Sequence, residues 1–174
     1  QKRYWPMFTP GSTVDFEKAE RDLKFINTFL RITPVRDATD DALTRMAAEV
    51  FAEEVPPGSM LNIGVGYPEE VARHLVLQGL GHDLLFTTEA GSYGGLPVPG
   101  IFFGSALAPE KLISSAEMFR LYESELGAAI LGFLQVDDKG NVNASKRGPQ
   151  VMDYVGPGGL PDIAGGARTV IFVG

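Results

Sequence analysis

The chain has 174 residues and contains no cysteine. This absence excludes disulfide bonds, thiolate zinc sites and cysteine nucleophiles. A protein that needs no oxidised scaffold is expected inside a cell, so we predict a cytoplasmic location, with an organelle matrix as the alternative. No apolar run approaches the roughly 18–20 residues of a membrane-spanning helix, and residues 1–10 lack the apolar core of a signal peptide. We therefore expect no membrane partner.

Positive charge and histidine are also scarce. The 15 Lys and Arg residues are outnumbered by 22 Asp and Glu residues, which leaves a formal net charge of −7. Such a balance argues against binding to a phosphate backbone, so no nucleic-acid partner is predicted. It does not exclude a nucleotide-containing ligand, because backbone amides can hold phosphates. The two histidines, His74 and His82, lack metal-ligand spacing, and no metal site is predicted.

Two regions are distinguishable along the chain. Residues 1–37 begin with an aromatic, proline-broken stretch and continue into a predicted short helix over 15–30. We interpret them as an N-terminal arm or linker that either folds back on its own domain or faces a partner. Residues 38–174 form the predicted main domain. This domain ends directly after an apolar strand, so we expect it to be truncated at its C-terminus.

The main domain alternates between helical and strand patterns. A helix capped by Thr39 or Asp40 is predicted from a helical stripe of apolar residues, expected to be core: Leu43, Met46, Ala47, Val50 and Phe51. Further helices are predicted from Pro68, with Gly79 just past the helix end, and within 114–125. Apolar runs predict strands at 60–63, 84–88, 128–136 and 169–173, with a hairpin turn at 137–140 and a glycine-rich loop at 156–166. This alternation predicts an α/β fold with an open, largely parallel sheet flanked by helices.

Glu89 is the main candidate for chemistry. It follows a predicted strand and precedes a glycine-rich loop, and ligands of open α/β sheets bind beyond the carboxyl ends of the strands. A carboxylate there can serve as base, metal ligand or nucleophile, or simply cap a neighbouring loop.

Two glycine-rich segments and one basic pair are weaker candidates. The turn Gly64-Val65-Gly66-Tyr67-Pro68 presents helix-start amides that can face an anion, although it lacks a complete dinucleotide fingerprint. The segment 156–162 is either a loop approached by a ligand or a plain connector. Lys146 and Arg147 are either a solvated pair or a contact for phosphate.

Four segments together resemble the family I coenzyme A transferases. In chain order they are residues 62–68 (NIGVGYP), 88–95 (TEAGSYGG), 140–143 (GNVN) and 158–163 (GGLPDI). The resemblance spans about residues 40–174 and points to the second, glutamate-bearing domain or beta subunit of such an enzyme.

This resemblance implies a role for each matching position. Glu89 corresponds to the nucleophile that becomes a glutamyl-CoA thioester. The residues implied in coenzyme A binding are Gly64, Val65, Gly66, Tyr67, Pro68, Asn143, Gly158 and Gly159. Coenzyme A is then a substrate, transferred from an acyl-CoA to a small carboxylic acid, and no metal or redox cofactor is expected.

The same resemblance implies a partner and leaves alternatives open. The other transferase domain or subunit is the expected partner, within an oligomer. An acyl-CoA hydrolase on the same scaffold and a non-catalytic CoA-binding subunit are the alternative functions. The acids are not identified; Tyr93, Phe102 and Phe103 are candidates for lining an acyl pocket.

Overall fold

A computed structural model describes residues 5–30 and 36–174. Within these ranges the α-helices are α1 Phe16–Leu30, α2 Ala38–Glu54, α3 Tyr67–Leu77, α4 Ser115–Glu125 and α5 Leu160–Gly166. The strands among the described residues are β1 Met60–Ile63, β2 Leu85–Thr87, β3 Ser92–Tyr93, β4 Leu96–Pro97, β5 Ala106–Leu107, β6 Lys111–Leu112, β7 Leu126–Leu131, β8 Gln135–Val136, β9 Val142–Asn143 and β10 Thr169–Phe172. Short 3-10 helices occupy Pro6–Phe8, Leu80–Asp83, Gly100–Phe102 and Val151–Asp153.

The main sheet has the strand order β10-β7-β1-β2-β3-β6. Strands β10, β7, β1 and β2 pair in parallel. Strand β3 pairs antiparallel with β2, and β6 pairs antiparallel with β3, so β6 again runs in the direction of the first four. Every residue of β1 is buried because the strand lies between two neighbours and helices cover both faces. The predicted open, largely parallel α/β fold is confirmed.

The two faces of the sheet carry separate apolar cores. On one face, α2 and α3 pack over alternate residues of the central strands, including Leu61 and Ile63 of β1. On the other face, α4 and α5 pack over Met60, so the side chain of Asn62, which has the same parity, also points toward α4. This alternation brings a polar residue of β1 to the inner side of α4.

The stripe predicted as the core face of α2 is wrong in part. Phe51 is buried, but Met46 and Val50 are 61% and 49% exposed. The buried face instead carries smaller side chains, Thr44 and Ala48, which let α2 approach its neighbours closely. The two stripes overlap at Phe51, and periodicity alone favoured the one with larger side chains.

Other boundaries differ from the sequence expectation for local reasons. Asp37, not Thr39 or Asp40, caps α2 by accepting hydrogen bonds from the backbone amides of both residues. The predicted strand over 128–136 is divided into β7 and β8. The loop expected over 156–166 contains α5, whose start is compatible with Pro161 because a first-turn proline loses no hydrogen bond.

The described part of the arm lies against its own chain. Ala19 and Leu23 of α1 are buried with Val98 and Leu107. Asn27 adds two polar contacts, donating to the carbonyl of Pro99 and accepting from the amide of Ile101. Residues 1–4 and 31–35 lie outside the described residues, so the division of the chain at residue 37 stays a prediction.

Candidate active site

The carboxyl ends of three parallel strands carry the predicted site residues. The turn 64–68 follows β1, Glu89 follows β2 after Thr88, and the β8–β9 hairpin follows β7. Because β1 pairs with both β2 and β7, these segments leave the same edge of the sheet. The topology therefore places the candidates where open α/β sheets bind their ligands.

Glu89 sits in a tightly bonded turn. The amide of Gly91 donates to the carbonyl of Thr88 at 2.9 Å. The hydroxyls of Thr88 and Ser92 both donate to the carbonyl of Gly104 at 2.8 Å. Gly91 has φ 111°, and a Cβ there would overlap the carbonyl oxygen of Ile113. Glycine is therefore required beside the carboxylate, and the backbone that carries Glu89 is held from two sides.

Asn62 contacts the carboxylate from beneath. Its Nδ2 lies 3.4 Å from Oε2 of Glu89 and 3.0 Å from the hydroxyl of Tyr122. That hydroxyl lies 3.0 Å from Oγ1 of Thr87, which donates to the carbonyl of Leu61 at 2.9 Å. Sequence reasoning assigned no role to Asn62, Thr87 or Tyr122. The available signal was an amide within an otherwise apolar, fully buried strand.

Glu69 is a second carboxyl that sequence reasoning missed. It lies in the first turn of α3 and accepts a hydrogen bond from the amide of Gly100 at 3.4 Å. Burial is the largest influence and raises the pKa of Glu69 to about 7, against the hydrogen bonds from Gly100 and Gly66 that lower it. The carboxyl connects the turn after β1 to the 3-10 helix at Gly100–Phe102. The sequence gives no separate signal for Glu69, because acidic residues are common in the first turn of a helix.

The turn 64–68 is built largely by contacts within the domain. The amide of Gly64 donates to the carbonyl of Ile130 at 2.8 Å, which joins the turn to β7. The hydroxyl of Tyr67 donates to Asp40 at 2.7 Å, and Arg36 lies 4.0 Å from the centroid of its ring. Tyr67, not Pro68, is the first residue of α3. Of this turn, Val65 is exposed, while Pro68 is buried.

Asn143, Gly158 and Gly159 lie in the region that follows β7. Asn143 donates to Gln135 and to the carbonyl of Lys146, both at 2.6 Å, so its amide group closes its own hairpin. Gly158 has open space around it, whereas a Cβ on Gly159 would press on the ring of Phe119. Within the described residues, no side-chain hydrogen bond joins these three positions to Glu89.

The aromatic candidates for an acyl pocket point in different directions. Phe103 lines a shallow cavity of about 340 Å³ together with Ala90, Gly91 and Phe8 of the arm. Phe102 instead packs against Trp5 and Phe8. Tyr93 lies beneath the ammonium group of Lys111, 3.9 Å from its ring centroid. Phe103 alone of the three borders the cavity beside the Glu89 turn.

Among the described residues, the other polar candidates from the sequence, His74, Lys146 and Arg147, make no hydrogen bond to Glu89. His74 is buried on α3 with Nε2 3.2 Å from Asp41. Lys146 and Arg147 are exposed, and Lys146 lies over the ring of Tyr154.

Across residues 5–30 and 36–174, the structure groups no three metal-ligating side chains. In the same ranges, no helix has both the length and the apolar character that a bilayer crossing requires.

Comparison with curated proteins finds CoA-transferases. The chain is 36% identical over 133 residues to a caffeate CoA-transferase of Acetobacterium woodii, covering 75% of this chain and 25% of the relative. It is 34% identical over 145 residues to the acetate CoA-transferase subunit beta of Escherichia coli K12, covering 75% and 62% respectively. The chain thus spans about a quarter to three-fifths of the length of these relatives. No family model matches it.

Comparison with solved structures also finds CoA-transferases. The acyl-CoA transferase YdiF of Escherichia coli O157:H7, described as a thioester complex with CoA, superposes with a TM-score of 0.62 at 25% identity. That match covers 81% of this chain and 26% of YdiF. Glutaconate coenzyme A-transferase of Acidaminococcus fermentans shares the fold at 19% identity and a TM-score of 0.54, over 74% of this chain and 55% of that one. The resemblance to CoA-transferases drawn from the sequence motifs is confirmed.

Proposed function

We propose that this homologue of the CoA-transferases carries the nucleophile of such an enzyme, and that the nucleophile is Glu89. The complete enzyme transfers coenzyme A from an acyl-CoA to a carboxylic acid through a glutamyl-CoA thioester. The observation that carries the proposal is the placement of Glu89. Its half-buried carboxylate lies at the carboxyl end of β2, in a glycine-built turn, and receives the amide of Asn62 from the neighbouring strand.

The proposed reaction uses the carboxylate as a covalent carrier. An oxygen of Glu89 attacks the thioester carbonyl, the carbon–sulfur bond breaks, and CoA thiolate leaves a mixed anhydride. The thiolate attacks the glutamyl carbonyl, and the donor acid departs as its carboxylate. The acceptor acid then runs the same steps in reverse. Each intermediate is an activated acyl group, so the energy of the thioester is conserved.

Both attacks develop negative charge on a carbonyl oxygen. Donors aimed at such an oxygen are worth about 2.7–4 kcal/mol each in characterised acyl-transfer enzymes. We assign this role to backbone amides of the glycine-rich turns that follow β1 and β2 at the same edge of the sheet. The nucleophiles of this route are a carboxylate and a thiolate, and the same two groups are its leaving groups. The route therefore requires neither a metal ion nor a redox group.

Coenzyme A binding is proposed at the same edge of the sheet. The turn after β1 leaves the same edge of the sheet as Glu89, and its residues are proposed to face the bound substrate: Gly64, Val65, Gly66, Tyr67 and Pro68. Asn143, Gly158 and Gly159 are proposed to act on the side of the β8–β9 hairpin. The hydroxyl of Tyr67 is engaged by Asp40, so its contribution is assigned to the backbone.

The partner and its context are also proposals. One relative is a beta subunit, which supports a second domain or subunit that completes the site within an oligomer. Small carboxylic acids and acyl-CoA are the proposed substrates, and the cytoplasm is the proposed location.

Intact-mass measurement of the complete enzyme after mixing with acyl-CoA tests this proposal. Wild-type protein is expected to gain the mass of a CoA thioester, mapped to Glu89 by peptide analysis. Glu89→Ala and Glu89→Gln are expected to form no adduct, while Glu53→Gln, an exposed glutamate on α2, serves as the matched control. Glu89→Asp moves the carboxylate by about 1 Å, a displacement that can cost about a hundredfold in rate.

The result also separates the alternatives. Consumption of acyl-CoA without any acceptor acid identifies a hydrolase. Binding of CoA without a covalent adduct identifies a non-catalytic subunit. Full transfer activity in Glu89→Ala overturns the mechanism.

A further inference from the structure

A row of buried polar groups lies beneath Glu89. Asn62, Thr87 and Tyr122 are 0%, 1% and 1% exposed. They come from β1, β2 and α4, and they join the carbonyl of Leu61 to the carboxylate through four successive contacts. Removing a polar side chain from water costs free energy unless the group is hydrogen-bonded in the protein. Three such side chains in one place therefore suggest a role beyond packing.

The direction of each hydrogen bond follows from chemistry. The carbonyl of Leu61 can only accept, so the hydroxyl of Thr87 donates its single proton there. Oγ1 of Thr87 must then accept from Tyr122, whose own proton is thereby used. The oxygen of Tyr122 is left to accept, and its partner in Asn62 has to be the donor Nδ2. Burial, the largest influence, raises the pKa of Tyr122 to about 12, so this hydroxyl keeps its proton.

The row therefore determines which end of the Asn62 amide faces Glu89. Nδ2 has two N–H groups, one for Tyr122 and one for Oε2 of Glu89. The reversed amide would place Oδ1 against both the carboxylate and a hydroxyl without a free proton, and two acceptors repel. In the observed orientation Oδ1 is enclosed and has no donor among the described residues. The amide is held this way although one of its own atoms is left unpaired.

We propose that Asn62 is a catalytic hydrogen-bond donor to Glu89, and that Thr87 and Tyr122 are positioning residues that hold its amide in the donating orientation. This rests on the proposed role of Glu89 as nucleophile. Asn62 engages Oε2 and leaves Oε1 to attack the thioester, so Oε1 becomes the bridging oxygen of the anhydride. Oε2 becomes the glutamyl carbonyl oxygen. When the thiolate adds to that carbonyl, charge accumulates on Oε2 beside Nδ2, and Oε1 departs with the donor acid as its Cδ–Oε1 bond breaks.

The 3.4 Å separation between Nδ2 and Oε2 fits this role. It is longer than the usual 2.7–3.2 Å of an N–H···O bond, and catalytic hydrogen bonds are often long before the substrate is bound. The contact shortens as charge develops on Oε2. Its benefit falls on the chemical step more than on substrate binding.

Single-turnover kinetics of adduct formation in the complete enzyme tests the proposal. Tyr122→Phe and Thr87→Val keep the packing but remove a hydroxyl, and each is expected to slow adduct formation about tenfold at saturating acyl-CoA, the size of one lost hydrogen bond. Asn62→Ala is expected to slow it about a hundredfold, because a bond to a charged group is lost. The acyl-CoA concentration at half-saturation is expected to stay unchanged.

Three controls make the roles separable. Thr87→Ser retains the hydroxyl and is expected to retain the wild-type rate. Tyr154→Phe alters an exposed tyrosine and is expected to do nothing. In an Asn62→Ala background, Tyr122→Phe is expected to add no further loss, because Tyr122 acts only through Asn62.

Each other outcome overturns the proposal at a defined point. Tyr122→Phe and Thr87→Val with wild-type rates overturn the positioning role while the Glu89 adduct keeps the proposed function intact. A further tenfold loss in the double variant shows that Tyr122 acts by another route. Absence of an adduct in wild-type enzyme overturns both proposals together. Should Tyr122→Phe fail to fold, the comparison of Thr87→Val with Thr87→Ser decides the matter.

Discussion

Two regions at the same edge of the sheet satisfy their polar groups in opposite ways. The strand-end cluster, defined as Asn62, Thr87, Glu89 and Tyr122, pairs residues 27, 35 and 60 positions apart in the chain. The hairpin region, residues 135–159, pairs Asn143 with residues at most eight positions away. Apart from the half-buried Glu89, the first region is buried, and it is assembled only when the sheet and α4 are in place. The second is largely exposed and can form its contacts locally.

The difference predicts which region tolerates change. A buried network of distant residues has no water to replace a lost partner, so each disturbance is costly. An exposed hairpin with local contacts opens and closes with less effect on the remainder of the domain. Matched substitutions in the two regions measure this contrast.

The largest expected effect comes from alanine at Gly91. A Cβ there meets the carbonyl of Ile113, and φ is 111°. We expect Gly91→Ala to lower the free energy of unfolding by about 3 kcal/mol or more, from backbone strain and overpacking combined. Gly158→Ala is the matched variant, since φ is 55° but nothing lies within 4 Å; we expect about 1 kcal/mol. Urea denaturation of both checks the ranking, and equal losses would remove the contrast.

The second effect depends on the ionisation of Glu69, in the first turn of α3 after β1. Burial raises the pKa of Glu69 from 4.5 to about 7, so the folded protein binds its proton more tightly than the unfolded chain does. The free energy of unfolding should therefore fall as the pH rises from about 4.5 to about 7. The glutamine in Glu69→Gln cannot ionise. We therefore expect the free energy of unfolding of this variant to exceed that of the wild type by about 3 kcal/mol at pH 8 and to differ little from it at pH 4.

Chemical denaturation across this pH range provides the measurement for Glu69. Glu53→Gln, on the exposed face of α2, controls for the loss of one surface charge. A difference between Glu69→Gln and wild type that does not vary with pH would show that burial of the carboxyl is not the cause.

The smallest effect is expected at Asp137 in the hairpin region, with the opposite dependence on pH. Hydrogen bonds from the side chain and backbone of Asn141 hold the pKa of Asp137 below its usual 3.8. The stabilisation is present above that value and is lost as the pH falls through the lower folded pKa. Asp137→Asn should therefore speed amide exchange at Lys139 and Asn141 at neutral pH, where Asp138→Asn should not. A similar change in both variants would point to general loss of charge.

Some of the site followed from local patterns. An apolar run ending in Glu89 and a glycine-rich continuation predicted a carboxylate at a strand end, and the strand is present as β2. The hairpin at 137–140 and the helix over 114–125 were also predicted correctly, because turn chemistry and capping act between close neighbours. The assignment of catalytic and CoA-binding roles stays a prediction until the adduct is measured.

Other features depended on packing. The buried face of α2 was predicted partly wrongly, since Met46 and Val50 are more apolar than Thr44 and Ala48 but do not face the sheet. The helix α5 was missed because its glycines disfavour helix in isolation. The packing of α5 on α4 and β7 supplies the stabilisation that its low helix propensity does not.

The sequence by itself determined the alternation of the longer strands with α2, α3 and α4 and the presence of a glutamate at the end of β2, because periodicity and turn residues act over a few positions. Only the tertiary structure decided how that glutamate is held. The amide of Asn62 owes its orientation to a tyrosine 60 residues away, and the proton of Glu69 is held by burial against segments distant in the chain. Hydrogen-bond direction and desolvation depend on what surrounds a group in space, which local sequence does not encode.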